Sequence, residues 1–499
     1  MTGLVNESVV TGRAYVGGIA GEGGNFIDCI NNGQIVTEGV LTEDRQGCSY
    51  VGGIAGKCAN LEGCVNNEDV SAEGRYVGGL VGYLTSEQVE QCVNNGAVLG
   101  GDYTGGVEGY ASDTPYFIDT ENNGDVTGGH YTGGLIGYAA GGLIENASNV
   151  TYVQGGAYLG GIAGYFGGTL RGCHNLGEIT ATDTLLLDGE NCSYLGGLAG
   201  YCKIVEGGTN ASVISGQGRY IGGIVGYASE IKDVDNRDGS ITAVAQDETL
   251  FVGGIAGYAR SVSECVNHID ISVQANAVGG IAGGSESLLQ CENYGKVNGY
   301  SQVGGIAGIA YIFVSLCNNF ADIAGLEMIG GIAGTFTNTS YKNYRLDADN
   351  CENMGKIEGE SYVGGIFGLI KALHSNIRHG TEWESDLRNL TNAGNVETAR
   401  EYAGGIAGSC IAAIDPYSTF KVVAVITVEE NSNIADISAG VNYCGGIFGY
   451  CAGSFGEVYG YPGYARLTYV LQQNQNSGTV MAPANYDNLY GATGSYVKL

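Results

Sequence analysis

Tyr76-Val77-Gly78-Gly79-Leu80-Val81-Gly82-Tyr83, followed nine residues later by Cys92-Val93-Asn94-Asn95-Gly96-Ala97-Val98, is the stretch that decides the fold. Its first half recurs fifteen times, opening at Tyr15, Tyr50, Tyr76, Tyr103, Tyr131, Tyr158, Tyr194, Tyr220, Phe251, Ala277, Gln302, Met328, Tyr362, Tyr402 and Tyr443. The first glycines of successive pairs are mostly 25 to 28 residues apart, as from Gly52 to Gly78 and from Gly279 to Gly304, with a few longer intervals. A degenerate sixteenth copy is read at Tyr490-Gly491-Ala492-Thr493-Gly494. The second half recurs too, for instance as Cys291-Glu292-Asn293-Tyr294-Gly295-Lys296-Val297. Asn close to Gly suits a sharp turn with positive φ, and the flanking Val or Ile starts another short strand. One unit therefore reads as strand, turn, strand, turn.

A unit this short cannot bury its apolar face alone, so neighbours must stack. The expectation is an all-β, elongated parallel β-solenoid (β-helix) of about 15–16 coils, about 26 residues per coil, with strands about 4.8 Å apart. A β-propeller needs about 40–50 residues per blade and no more than about eight blades. Leucine-rich repeats fail because L-x-x-L-x-L is missing. Glycine at 90 residues with proline at only 4, beside 44% hydrophobic residues, argues for ordered β structure with tight corners over disorder or collagen.

Three copies, Gly79-Leu80-Val81-Gly82, Gly134-Leu135-Ile136-Gly137 and Gly197-Leu198-Ala199-Gly200, read G-L-x-G. They resemble the GLUG motif of bacterial cell-surface proteins and some immunoglobulin-A peptidases. Most other copies carry Ile for Leu. The resemblance implies an exported bacterial repeat region and carries no catalytic residue, because the peptidases' zinc signature H-E-x-x-H is absent. Residues 1–450 are read as GLUG-type solenoid repeats, with insertions at 369–388 and 409–439, and 451–499 as a degenerate last coil and C-terminal cap.

A formal charge of −31 opposes binding to nucleic acid and to anionic membranes. No apolar run reaches the roughly 18 residues that a membrane span needs. The start lacks a signal peptide and reads like the tail of a preceding unit, so a piece of a longer protein is expected.

Among fifteen cysteines, Cys29, Cys64, Cys92, Cys173, Cys265, Cys291, Cys317 and Cys351 share the slot before the Asn turn. They read as a ladder of small buried residues. Cys48 and Cys58, and again Cys192 and Cys202, bracket a Ser-Tyr-x-Gly-Gly copy beside long insertions. Each pair is a candidate disulfide stapling a loop, and copied sequence is the plainer alternative: the two pairs sit in a block of about five units that reads as duplicated. Nineteen of 34 tyrosines belong to the repeat itself. His130, His174, His268, His374 and His379 show no metal spacing, and Asp233–Gly239 departs from a calcium loop by placing Arg237 at a ligand position. No metal and no cofactor is expected.

Candidate ligand-binding residues lie outside the repeat: Trp383 and Arg378 in the first insertion, and Tyr459, Tyr461 and Tyr464 near the C-terminus. The function expected is a non-enzymatic bacterial surface or secreted module, a stalk or adhesin-like scaffold whose partners are host or matrix glycans or proteins. A β-helix polysaccharide lyase or hydrolase is the alternative, since fold does not fix function.

Overall fold

The computed structural model describes all residues except 38–48, 183–185, 188–189, 192–193, 244–249, 339–344, 375–381, 415–421, 456–464 and 482–499. The protein is an all-β parallel β-solenoid, without a helix among the described residues. The chain divides into two compact units: residues 1–247 with 255–258, and residues 248–254 with 259–499. Both are built from the same coil.

The coil of the opening stretch shows the plan. A short strand Val77–Gly78 leads into a long strand Val81–Glu90, then Val93–Asn94 and Val98–Leu99, before Thr104–Gly105 begins the next turn. Four strands thus serve one unit where the sequence suggested two. They lie on three faces: the long strands on one, the Asn strands on a second, and the remaining two short strands on a third. Pairing is parallel and in register from coil to coil, with Val77 beside Val51 and Thr104, Val89 beside Leu61 and Phe117, and Asn94 beside Asn66 and Asn122. The antiparallel hairpin Leu186–Leu187 with Glu190–Asn191 departs from this pattern.

Alternation along each strand sends one set of side chains inward. Val77, Leu80, Leu84, Val89, Cys92 and Val98 are all buried. Each such aliphatic side chain contributes roughly 1.5–3 kcal/mol by leaving water, and only stacking on the coils above and below hides it.

The asparagines are where sequence and structure part. They are not the positive-φ turn residues expected. Asn31, Asn66, Asn94, Asn122, Asn149 and Asn175 are wholly buried in strands. The left-handed corner falls three residues earlier, at Asp28, Gln91, Asp119 and Asn146 in the first unit and at Glu264, Gln290, Leu316 and Asn350 in the second, with φ of 50–55°. A second left-handed corner is the residue that opens the motif, as at Tyr76 (62°), Tyr103 (60°) and Tyr402 (68°). Such a backbone costs roughly 1–2 kcal/mol at a non-glycine residue, so the packing around it must hold it there.

What the buried asparagines do is bond to one another. Each Nδ2 donates to the carbonyl two residues on and to the Oδ1 of the next coil's asparagine. In the first unit this chain runs from Asn6 to Asn210 at 2.7–2.9 Å. In the second it runs from Asn267 to Asn476 over the same distances. Along these two runs the buried Nδ2 donors are met by Oδ1 acceptors of the next coil, as a polar group in a core requires.

The second glycine of each pair makes room for this column, while the first lies against backbone, as Gly78 does against Val81 and Val107. A Cβ on Gly79 would stand 2.0 Å from the Gly106 carbonyl oxygen and 2.4 Å from the Asn94 Oδ1, and one on Gly106 would meet Gly134 and Asn122 in the same way. Close approach, and not positive φ, demands these glycines.

Candidate functional site

The residues that sequence reasoning favoured fall mostly where the structure is silent. Arg378, Tyr459, Tyr461 and Tyr464 lie outside the described residues, as do Cys48 and Cys192. Trp383 lies in the strand Glu382–Arg388, register-paired with Ala424 of Val422–Glu429. Much of both stretches read as insertions is therefore strand in the long face. Phe367–His374 pairs with Ala407–Ile414, and residues 375–381 and 415–421 follow them.

Cys58 and Cys202 are buried, and their candidate disulfide partners are among the residues not described. The eight cysteines of the slot before the asparagine are buried too and form the interior ladder expected of them. Burial pushes the Cys173 and Cys202 thiols up to about 12, so they stay protonated at neutral pH.

The repeat tyrosines form two interleaved columns along the first unit. Tyr15 through Tyr220 stack at ring-centre distances of 4.7–5.3 Å. Tyr83 through Tyr258 stack at 4.5–5.4 Å, with interplanar angles of 4–20°. Between columns the rings meet edge to face, as Tyr103 and Tyr110 do at 88°. This is the arrangement that aromatic quadrupoles favour. Inside the columns each ring lies between two neighbours, with Tyr15 at the end of its column tilted by 39° and more exposed. Partial burial, with repulsion from neighbouring phenolates, pushes Tyr165 up to about 12. Inside the columns the stacking leaves little ring face on which a ligand could lie.

Two polar features border the first unit's columns. Arg75 lies over the rings of Tyr76 and Tyr103 and pairs with Asp102 at 3.7 Å, while Asp102 also bonds His130 Nδ1 one coil on. That bond, with the Arg75 charge, holds the Asp102 carboxyl below its usual range. Glu108 is wholly buried between Val81 and Ile136, and neither carboxyl oxygen has a hydrogen-bond partner. Burial pushes it well above the usual carboxylate range. Among the described residues, no group of three or more His, Cys, Asp or Glu side chains is placed to hold a metal. At the loop weighed for calcium, Arg237 Nε bonds Asp235 Oδ2 at 2.7 Å.

The second unit carries a groove of about 410 Å³ across four coils. Its floor is a row of glycines, Gly299, Gly325 and Gly359, with Leu326. Gln274, Asn298, Tyr300, Glu358 and Glu360 edge it. The row is small for a steric reason. A Cβ would stand 2.8 Å from Val303 Cγ2 at Gly299, 2.6 Å from Ile329 Cδ1 at Gly325 and 2.7 Å from Val363 Cγ2 at Gly359. Each of these glycines stands five residues before a glycine pair, a signal present in the sequence that reading the pairs alone passes over.

Tyr300 is 52% exposed, and no other ring stacks on it among the described residues. Glu358 pairs with Lys356, and Glu360 with Arg400 at 3.5 Å, which offsets both charges. The groove thus presents a half-exposed tyrosine, two side-chain amides and two ion-paired carboxylates along one trough. No protein-family model matches the chain, and neither a curated protein nor a solved structure is similar to it.

Proposed function

We propose that the chain is a non-enzymatic repeat module of the bacterial surface or of secreted protein, an adhesin-like scaffold of the kind the GLUG motif marks. One observation supports this most. In each unit the same asparagine, glycine and core positions recur in coil after coil, while the outward positions away from the tyrosine columns change from coil to coil. The interior serves stacking, and the exterior is free to vary and to bind. In such a module a partner is recognised by outward side chains on a fixed frame, with little rearrangement on binding. Host or matrix glycans and proteins are the partner classes in view, outside any membrane.

A second reading is a polysaccharide lyase or hydrolase, favoured by Glu358 and Glu360 standing two residues apart beside one groove. Paired carboxylates about 6.5–9.5 Å apart suit inverting hydrolysis. Both, however, are already paired with cations, Glu358 with Lys356 and Glu360 with Arg400. The test is a panel of plant, microbial and host polysaccharides incubated with the protein. Unchanged chain length with retained binding is the expected result. New reducing ends or unsaturated products would replace the proposal with the enzymatic reading.

A further inference from the structure

We infer that the groove over Gly299, Gly325 and Gly359 is a binding site for a neutral oligosaccharide, laid across successive coils with a sugar ring against Tyr300. The inference rests on the reading of the chain as a binding module and gives that module a ligand class.

Four observations converge. First, the stacked tyrosines are poorly placed to serve. In both columns of the first unit a ring lies 4.5–5.4 Å from the next, so little ring face is left inside the columns. Tyr294 is similarly held between His268 and Phe320 at 5.0 and 4.6 Å. Tyr300 is 52% exposed, has no ring stacked on it among the described residues, and lines a groove. The apolar C–H face of a pyranose and an open phenol ring are natural partners.

Second, the polar groups suit a ring of hydroxyls. Asn298 and Gln274 each offer an amide with both donors and an acceptor, and Glu358 and Glu360 offer acceptor oxygens. Vicinal hydroxyls bond well to such two-atom groups. The carboxylates keep spare acceptor sites, since their side chains are still 51% and 43% exposed despite the ion pairs.

Third, the floor of the groove runs across successive coils, so an extended ligand can lie along it. Leu326, 37% exposed, adds an apolar patch to that floor. A volume of about 410 Å³ lies in the range of small-molecule sites, roughly 300–1,000 Å³. It has room for a short oligosaccharide.

Fourth, charge selects among glycans. The chain carries −31 overall, and the groove's own carboxylates are offset but not reversed by Lys356 and Arg400. Sulfated and uronic-acid chains are repelled, whereas neutral ones are not.

The experiment is calorimetric titration of the whole chain with xylo-, cello- and N-acetylglucosamine oligosaccharides, and with a sulfated glycosaminoglycan fragment. Tyr300→Ala and Asn298→Ala are compared with the parent and with Tyr116→Ala, an exposed tyrosine of the other unit. Expected is binding of at least one neutral series, weakened about tenfold or more by Tyr300→Ala, and unchanged by Tyr116→Ala. Both tyrosines are at the surface, and a circular-dichroism melt checks that each variant folds as the parent does. No binding of any neutral series would overturn the site. So would equal affinity in Tyr300→Ala, or tighter binding of the sulfated fragment. Product release in the same cells would strike at the non-enzymatic reading instead, and Tyr300 dependence of that release would keep the groove as the site.

Discussion

Two buried side chains carry opposite lessons about polarity in a core. Asn94 is satisfied on every side: Nδ2 donates to the Gly96 carbonyl at 2.7 Å and to Asn122 at 2.8 Å, and Oδ1 accepts from Asn66 at 2.8 Å. Asn94→Ala strands three buried partners, each costing about 1–3 kcal/mol. A loss of about 3–5 kcal/mol is expected in denaturant unfolding. Asn6→Ala, at the partly exposed first rung, should lose under about 1 kcal/mol, and equal losses at both positions would refute the column's role. Glu108 is the reverse, a carboxyl with no partner whose folded pKa is raised by burial. A raised pKa means that folding takes up a proton. Its stability is then fullest below the ordinary carboxylate value near 4.3 and is lost as pH rises toward the folded value, by about 1.4 kcal/mol per pH unit. Glu108→Gln removes that dependence. The variant should gain on the parent as pH rises above the ordinary carboxylate value in chemical denaturation, and a pH-independent difference would show that the carboxyl is not the cause.

At the scale of the element, the coil is a lock between a glycine pair and an asparagine. Gly79→Ala forces a methyl into the Gly106 carbonyl and the Asn94 amide, and it should cost upward of about 3 kcal/mol. Gly24→Ala meets nothing within 4 Å and should stay within about 0.5 kcal/mol, by thermal melts of both. Comparable melting of the two variants would remove the lock. The sequence announced this element clearly, because the pair recurs at a nearly constant interval. It misassigned the mechanism. Asn and Gly in proximity match turn chemistry by type, and only the three-dimensional register reveals that Asn94 lies over Asn66 while Gln91 takes the corner. Groove residues were harder still. Tyr300 and Glu358 are separated by two coils of sequence, and nothing local marks them as neighbours.

Across the whole molecule, the thiols offer a direct measure of how completely coils cover one another. Twelve described cysteines are buried, and burial raises Cys444 to about 11 and Cys173 to about 12. Alkylation at pH 8, mapped by mass spectrometry, should leave these sites unmodified until denaturant opens the coils. Prompt labelling of Cys64 or Cys291 in the native protein would contradict that coverage. The same map, without reductant, decides whether Cys58 and Cys202 pair with Cys48 and Cys192. The asparagine column has a further consequence at this scale. Each coil shows an acceptor to the coil before it and a donor to the coil after it, whatever its outward residues are. Coils are therefore interchangeable parts with a shared coupling, and a gene can gain or lose them in whole-number steps. The recurrence of the Cys48–Cys58 segment 144 residues later, as Cys192–Cys202, is what such copying leaves behind. Evolution can lengthen this protein without redesigning a single interface.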